Sequence, residues 1–255
     1  MNTNRDLLDF TKLKFDIIIA AGQSNCQGSG KGEVANPFVP KENIWYMNRD
    51  FTISQATEKV QENAVLGAFK LSFSDEYIKN GLLEIDRHLI IIDCAKGATG
   101  FEIGMWGENQ VLTLDMLSMT QAVLNLNKNN KIVAFLWHQG ERSVNHNLSL
   151  EFHSSEMRIL LKQVQTQFGN KFPLIAGDFV PVWKESKGKQ AVLIADANKN
   201  IFVTEFGGGF VETKGLLSNS QSIADSKDEI HFSRQSSIEL GIRYFEKYIE
   251  LINAK

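Results

Sequence analysis

Short apolar runs rich in β-branched residues recur along the chain. Within each run the apolar positions are nearly continuous instead of alternating with polar ones, a pattern typical of strands buried on both faces of a parallel sheet. The sequence therefore predicts strands at 15–20, 88–93, 131–137, 172–180 and 201–205, with a weaker candidate at 43–47.

Two long segments show helical periodicity instead. In 151–170 the apolar positions keep helical spacing, and Gly169-Asn170 provide a stop signal. Near the end of the chain an apolar stripe predicts a second helix, and Ser236 followed by Glu239 predicts a capping box at its start. The stripe consists of Ile238, Ile242, Phe245, Ile249 and Ile252.

The alternation of strands and helices predicts an α/β protein with an open, mostly parallel sheet covered on both sides. No internal repeat, low-complexity tract or proline-rich linker interrupts the sequence, so we expect one domain over 1–255. In such sheets ligands bind at the carboxyl ends of the strands. The residues that follow each apolar run are therefore the first candidates for a functional site.

Composition and charge argue against several functional classes for this protein. The 255 residues are 43% hydrophobic and 22% charged, and the formal net charge of -3 gives no electrostatic basis for binding nucleic acid or an anionic membrane. The N-terminal sequence lacks the features of a secretory signal, and its apolar run is far shorter than a membrane span. Cys26 and Cys94 are too few for a disulfide framework or a four-cysteine zinc site. We expect free thiols in a cytoplasmic protein.

The first apolar run leads into the glycine-rich sequence AGQSNCQGSGKG at 21–32. A phosphate-binding P-loop fails here, because Asn25 and Gly32 stand where glycine and Ser/Thr are required. A dinucleotide fingerprint fails at Glu33. Ser24 at the strand end can act as a nucleophile with its own N–H near a helix N-terminus, or it can simply cap that helix. The loop alone leaves both readings open.

A serine nucleophile needs a base, and the chain has five histidines. His88 is expected to be partly buried and structural, and His146 and His153 are expected at the surface. His138, at a strand end, is a competitor for the role of base. His231 has Asp228 three residues earlier, so one short turn can carry both, although this spacing also fits a turn with a helix-capping acid.

Two further strand ends offer donors for an oxyanion. Gly97 allows close backbone approach to a ligand, and the side-chain amide of Gln139 can donate to an oxygen. Glu141 is costly to bury alone, so we expect it to be hydrogen-bonded or exposed. Alternatively, Gln139 and Glu141 are only a polar exit from the strand. Trp106 and Trp183 can form a sugar-stacking lip, but packing in the core is the favoured role.

Together these segments resemble the SGNH/GDSL hydrolase superfamily, and in particular its branch of sialate O-acetylesterases and carbohydrate acetylesterases. The first and third blocks are the specific ones. The four blocks occur in the family order: Gly22-Gln23-Ser24-Asn25, Gly97, His138-Gln139-Gly140-Glu141 and Asp228-x-x-His231.

The resemblance implies a flavodoxin-like three-layer α/β/α sandwich and a serine esterase that removes O-acetyl groups from a carbohydrate without metal or cofactor. Ser24 would be the nucleophile, His231 the base and Asp228 its orienting acid. The N–H groups of Ser24 and Gly97 and the Gln139 amide would form the oxyanion hole. Three further residues would support these groups: Gln23, Asn25 and Glu141.

The chain departs from the family pattern at two places. Ala98 follows Gly97 where a second glycine is frequent, and Arg142-Ser143 follow Glu141 where an acidic residue is frequent. Three other functions stay open: an O-acetyltransferase on the same site, a non-catalytic carbohydrate-binding protein, and a flavodoxin-like cofactor binder. The sequence leaves the sugar, the ester position, the acyl length and the oligomeric state open.

Overall fold

A seven-stranded sheet forms the centre of the computed structural model, which describes residues 8–62 and 64–254. The strand order is β3-β2-β6-β1-β7-β8-β9, and all neighbours are parallel except the pair β2–β3. Strands β4 and β5 form a separate hairpin. The strands are β1 (Lys14–Gly22), β2 (Ile44–Met47), β3 (Ile53–Gln55), β4 (Lys59–Gln61), β5 (Ala64–Leu66), β6 (Arg87–Asp93), β7 (Lys131–His138), β8 (Leu174–Gly177) and β9 (Gly209–Val211).

Helices fill most of the connections between these strands. Among the described residues no helix combines the length and apolar character needed to cross a bilayer. The α-helices are α1 (Ser24–Gln27), α2 (Phe69–Lys79), α3 (Val111–Leu126), α4 (Glu141–Asn145), α5 (Leu150–Phe168), α6 (Pro181–Lys187), α7 (Lys189–Lys199), α8 (Asn219–Ser222) and α9 (Arg234–Asn253). A 3₁₀-helix at Phe10–Lys12 and a π-helix at Asn200–Glu205 complete the set.

The predicted mixed α/β fold with a mostly parallel sheet is confirmed, and so are the strands predicted at 15–20, 88–93, 131–137 and 43–47. The strand predicted at 172–180 is shorter, Leu174–Gly177. The prediction of a single domain over 1–255 includes residues 1–7, 63 and 255, which lie outside the described residues, and it stays a prediction.

The strand predicted at 201–205 is wrong. This segment is the π-helix, which continues directly from α7, and the last strand of the sheet is β9 at Gly209–Val211. Ile201 and Phe202 are buried, whereas Val203 is 42% exposed, so the segment buries one side only. A short apolar run cannot be assigned to helix or strand by periodicity alone.

The C-terminal helix exists, but its predicted capping box does not. Ser233 is the N-cap, and its hydroxyl accepts a hydrogen bond from the N–H of Ser236. The Ser236 hydroxyl accepts one from the N–H of Leu217. Ser236 therefore lies inside the first turn of α9 and ties that turn to the preceding loop.

Side chains of β1 alternate between two apolar cores, one on each face of the sheet. Ile18 and Ala20 join the core formed with α2, α7 and α9, whereas Ile17 and Ile19 join the core formed with α3 and α5. This burial on both faces explains why the run has no polar positions after Asp16.

The winding of the sheet reverses at β1. The chain passes from β1 to β2 and β6 on one side of it, and from β7 to β8 and β9 on the other. The crevice at the carboxyl ends of the strands beside such a reversal is the usual place for ligands. Ser24, Gly97 and Gln139 follow β1, β6 and β7, the three strands at this reversal.

Candidate active site

The turn that carries Ser24 lies directly on the end of β7. The N–H of Gln23 donates to the carbonyl of His138 at 3.0 Å. Gly22 has a φ of +133°, and a Cβ on it would lie 2.1 Å from the same carbonyl oxygen. Only glycine fits there, so Gly22 fixes Ser24 at the sheet edge as the first residue of α1.

A cavity of about 420 Å³ opens at this edge. It brings together three of the five residues predicted for the triad and the oxyanion hole, Ser24, Gly97 and His231, which come from segments distant in the sequence. Asp228 and Gln139 are not among the residues that line it: Asp228 is connected to it through His231, and Gln139 is buried. The other lining residues are Gln23, Gln27, Ser29, Ala98, Arg142, Asn145, His146 and Ile230.

Asp228 and His231 form the predicted pair. Nδ1 of His231 lies 2.9 Å from Oδ2 of Asp228, and the backbone N–H of His231 donates to Oδ1 at 3.3 Å. Burial opposes ionisation of Asp228, but hydrogen bonds from His231 and Asn219 outweigh it and hold the pKa of Asp228 below its ordinary value. The ionised carboxylate accepts the Nδ1 proton, which leaves Nε2 of His231 free to take up a proton.

Asn219 on α8 is a supporting residue that the sequence analysis missed. Its Nδ2 donates to Oδ2 of Asp228 at 2.8 Å and to the carbonyl of Ser29 at 3.1 Å, and its Oδ1 accepts from the N–H of Lys31 at 2.8 Å. One amide therefore joins Asp228 to the loop that follows α1. Nothing in the local sequence distinguishes this asparagine from any other at a helix start.

Asn25 and Glu141, the further residues predicted to support the site, form contacts that join α1 to the end of β7 and to the loop that carries His231. Nδ2 of Asn25 donates to Oε1 of Glu141 at 2.7 Å and to the carbonyl of Ile230 at 3.0 Å, while its Oδ1 accepts from the N–H of Phe232 at 3.2 Å. Burial raises the pKa of Glu141, which is hydrogen-bonded as expected. Gln23 accepts a hydrogen bond from the N–H of Arg142 at 3.3 Å.

The three predicted oxyanion donors differ in their present partners. The N–H of Gly97 donates to Oε1 of Gln27 at 2.8 Å, so this donor is occupied within the protein itself. Gln139 is 1% exposed, and neither polar atom of its side chain has a partner in the described residues. Ser24 begins α1, so its N–H has no intrahelical acceptor.

The surroundings of His138 do not favour the role of a base. Tyr244 donates its hydroxyl proton to the carbonyl of Trp137 at 2.7 Å, so at 3.0 Å it accepts from Nδ1 of His138. Burial lowers the pKa of His138 to about 3, and its Nε2 has no partner among residues 8–62 and 64–254. It is a neutral, structural histidine below the cavity.

The expectation that His153 lies at the surface is wrong. It is fully buried, donates from Nε2 to Oδ1 of Asn198 at 2.8 Å, and accepts at Nδ1 from the hydroxyl of Ser143 at 3.0 Å. Asn198 in turn donates to the backbone carbonyl of Gln139 at 3.1 Å. This chain of hydrogen bonds braces the segment that carries Gln139. His88 and His146 are half-buried and exposed respectively, as expected.

The two departures from the family pattern contact each other. Ala98 has a φ of +56°, in the left-handed region that favours glycine, and its carbonyl accepts from Nη1 of Arg142 at 3.3 Å. Arg142 also forms an ion pair with Glu102. Arg142 therefore braces the strained turn that follows Gly97.

Both tryptophans considered for a stacking lip belong to the core. Trp106 is fully buried and donates from Nε1 to the hydroxyl of Thr99 at 3.0 Å. Trp183 is 4% exposed and packs edge-to-face on Phe179. Neither ring offers a free face at the cavity.

The cavity has no constellation for a metal. Among the described residues no group of three or more His, Cys, Asp or Glu side chains is placed to hold an ion. Cys26 and Cys94 are buried and free, as expected, and burial raises the pKa of Cys26 to about 12. The Cys26 thiol, within α1, is therefore inert as a nucleophile.

The mostly parallel sheet, with Ser24 and His231 in a cavity beside its reversal, defines an α/β protein with a candidate active site at the carboxyl ends of its strands. Residues 14–250 match the model of the family described as "Carbohydrate esterase, sialic acid-specific acetylesterase", and the chain belongs to that family. The family assignment agrees with the resemblance drawn from the four sequence blocks.

Solved structures share the fold. NanS superimposes with a TM-score of 0.74 at 18% identity, over 95% of this chain and 98% of that one. A protein from Arabidopsis thaliana gives 0.73 at 19%, over 92% and 98%. A carbohydrate acetylesterase from Xanthomonas citri gives 0.59 at 13%, over 94% of this chain and 57% of its own. No curated protein sequence matched. At these identities the likeness concerns the fold.

Proposed function

We propose that this protein is a serine esterase that removes O-acetyl groups from a carbohydrate. The observation that carries the proposal is the shared cavity of Ser24 and His231, with Asp228 holding Nδ1 of the imidazole from behind. Membership of a carbohydrate esterase family supports the substrate class.

Nε2 of His231 takes the proton from Oγ of Ser24 as that oxygen attacks the carbonyl carbon of the ester. Asp228 keeps the Nδ1 proton in place and stabilises the imidazolium that forms, without itself taking the proton. The negative charge develops on the former carbonyl oxygen. Three donors face that charge in the proposal: the N–H groups of Ser24 and Gly97 and the side-chain amide of Gln139.

Collapse of this intermediate breaks the bond to the sugar oxygen, which leaves as an alcohol with the proton from His231. The acetyl group then remains on Ser24. Water attacks this ester with His231 again acting as base, and acetate leaves as the Ser24 hydroxyl is restored. The steps use only these side chains and water.

Acetate release from a panel of O-acetylated sugars, O-acetylated sialic acid included, tests the proposal. We expect Ser24→Ala to lower turnover at least about 10³-fold. Ser29→Ala is the matched control, because Ser29 lines the same cavity and donates to the carbonyl of Ser24 at 3.0 Å. Its loss removes one neutral hydrogen bond, so we expect less than about a tenfold effect.

Equal turnover by folded Ser24→Ala and wild type would refute the proposal. Acetyl transfer to a second sugar without free acetate would indicate the transferase. Binding of a sugar without serine-dependent turnover would indicate a carbohydrate-binding protein.

A further inference from the structure

We infer that Gln27 is an internal competitor for the oxyanion hole, whose side-chain oxygen occupies the Gly97 donor until a substrate oxygen displaces it. The inference rests on the proposed function. Its starting point is the hydrogen bond from the N–H of Gly97 to Oε1 of Gln27, at 2.8 Å.

The position of this oxygen is close to the nucleophile. A Cβ built on Gly97 would lie 3.1 Å from Oε1 of Gln27 and 3.6 Å from Cβ of Ser24. Gln27, Gly97 and Ser24 all line the same cavity. The Gln27 oxygen therefore lies at the Gly97 N–H, next to the serine to which an ester would be attached.

The main chain of Gln27 is held, so only its side chain has to move. Its N–H donates to the carbonyl of Gln23 at 2.8 Å, and its carbonyl accepts from Nζ of Lys70 at 3.2 Å. Lys70 is fully buried and ion-paired with Asp93, which fixes that contact. The side chain of Gln27 is only half-buried and faces the open cavity, where it can swing aside.

The oxyanion of the transition state replaces the Gln27 oxygen at Gly97 more favourably than the carbonyl oxygen of the bound substrate does. An amide oxygen and an ester carbonyl oxygen are both neutral acceptors, so replacing one by the other at Gly97 gains little. An oxyanion forms a charge-assisted hydrogen bond that is about twice as strong. The cost of displacing Gln27 is the same for both oxygens, so Gln27 lowers the affinity for the ester and for the oxyanion alike, and only the oxyanion regains more than the lost hydrogen bond. Gln27 also keeps the Gly97 N–H paired when the cavity is empty.

Two substitutions of Gln27 distinguish this competition from a role in orienting Gly97. Gln27→Ala removes the competitor, so we expect tighter binding of methaneboronic acid and a higher kcat/KM for p-nitrophenyl acetate, each by about 3- to 10-fold. Gln27→Glu keeps the size but provides a charged acceptor for Gly97, so we expect both quantities to fall by about tenfold or more at pH 8.

If Gln27 only orients Gly97, the order reverses, with Gln27→Ala impaired and Gln27→Glu near wild type. That result, or no change in either variant, would overturn the inference. The amide proton of Gly97 in ¹H–¹⁵N spectra provides a readout independent of turnover, and it should move upfield in Gln27→Ala. An unmoved proton contradicts the inference.

The two proposals fail in different ways. If the wild type hydrolyses esters through Ser24 while the Gln27 variants behave as orienting mutants, only the inference falls. If wild type and variants neither hydrolyse esters nor bind the boronic acid, the proposed function falls and takes the inference with it.

Discussion

His138 is the last residue of β7, and His231 lies in the loop just before α9. Their surroundings differ in the features that matter for catalysis. His231 lines the cavity with Ser24 and donates to a carboxylate at 2.9 Å. His138 is fully buried, donates to a phenol and has a pKa lowered by burial to about 3. An imidazole becomes a useful base through an ionised partner and access to the reacting atoms, and burial without that partner removes its basicity.

The two histidines also differ in whether the polar atoms around them have hydrogen-bond partners. Asp228 accepts from His231 and Asn219, and these bonds hold its pKa below the ordinary value. Within the described part of the chain, Nε2 of His138 and the side-chain amide of the adjacent Gln139 have no hydrogen-bond partner. In the proposed mechanism, the Gln139 amide donates a hydrogen bond to the oxyanion of the transition state.

The largest predicted difference in activity comes from substituting each of the two histidines separately. We expect His231→Asn to lower kcat for p-nitrophenyl acetate by roughly 10⁴-fold with the fold intact, since no general base remains. His138→Asn should keep kcat within about tenfold and lower the free energy of unfolding by about 1–3 kcal/mol. Initial rates and urea denaturation measure both. Loss of activity in His138→Asn but not in His231→Asn would show that His138 is the base and His231 is not.

Gln139→Ala is expected to have an intermediate effect. Loss of one oxyanion donor typically costs about 10²–10³ in kcat. Its amide has no partner among the described residues, so stability should not fall by the amount expected for a broken hydrogen bond. Steady-state rates beside urea midpoints test this pair of effects. Unchanged turnover would remove Gln139 from the site.

The smallest predicted effect is on the dependence of stability on pH. The pKa of His138 is lower in the folded chain than in the unfolded one, so between about pH 6.5 and pH 3 the unfolded chain binds more protons. The free energy of unfolding should therefore fall as pH falls through this window. Urea midpoints at pH 7.5 and pH 5 should differ more for wild type than for His138→Asn. An equal difference would show that His138 is not held neutral.

The sequence predicted the fold well where several signals coincide, and it predicted site residues that the structure brings to one edge of the sheet. The run at 15–20 is buried on both faces and ends at Gly22, whose position against the His138 carbonyl excludes any side chain. The first three blocks lie at the carboxyl ends of β1, β6 and β7, and the fourth lies just before the last helix. The run at 201–205 carries only one of these signals, and it continues α7 as a helix that buries one side.

The features that the sequence could not predict depend on where individual side chains point in the folded chain. His153 lies on a helix whose buried face was recognised, but only the position of Asn198 shows that the imidazole points inward. The spacing from Ser236 to Glu239 fits a capping box, whereas the N-cap is Ser233, which has the extended backbone that this position needs. Gln27 follows the nucleophile block without any motif of its own, and its contact with Gly97 joins segments 70 residues apart.

The central claim is that Ser24 is the residue acylated during turnover. Its most direct test is treatment with a fluorophosphonate, which labels activated serines, followed by mass spectrometry of the intact chain and its peptides. The account predicts one adduct on Ser24, which persists in Ser29→Ala and is lost in His231→Asn. An adduct on Ser29, or continued ester hydrolysis by a fully unlabelled chain, would contradict it.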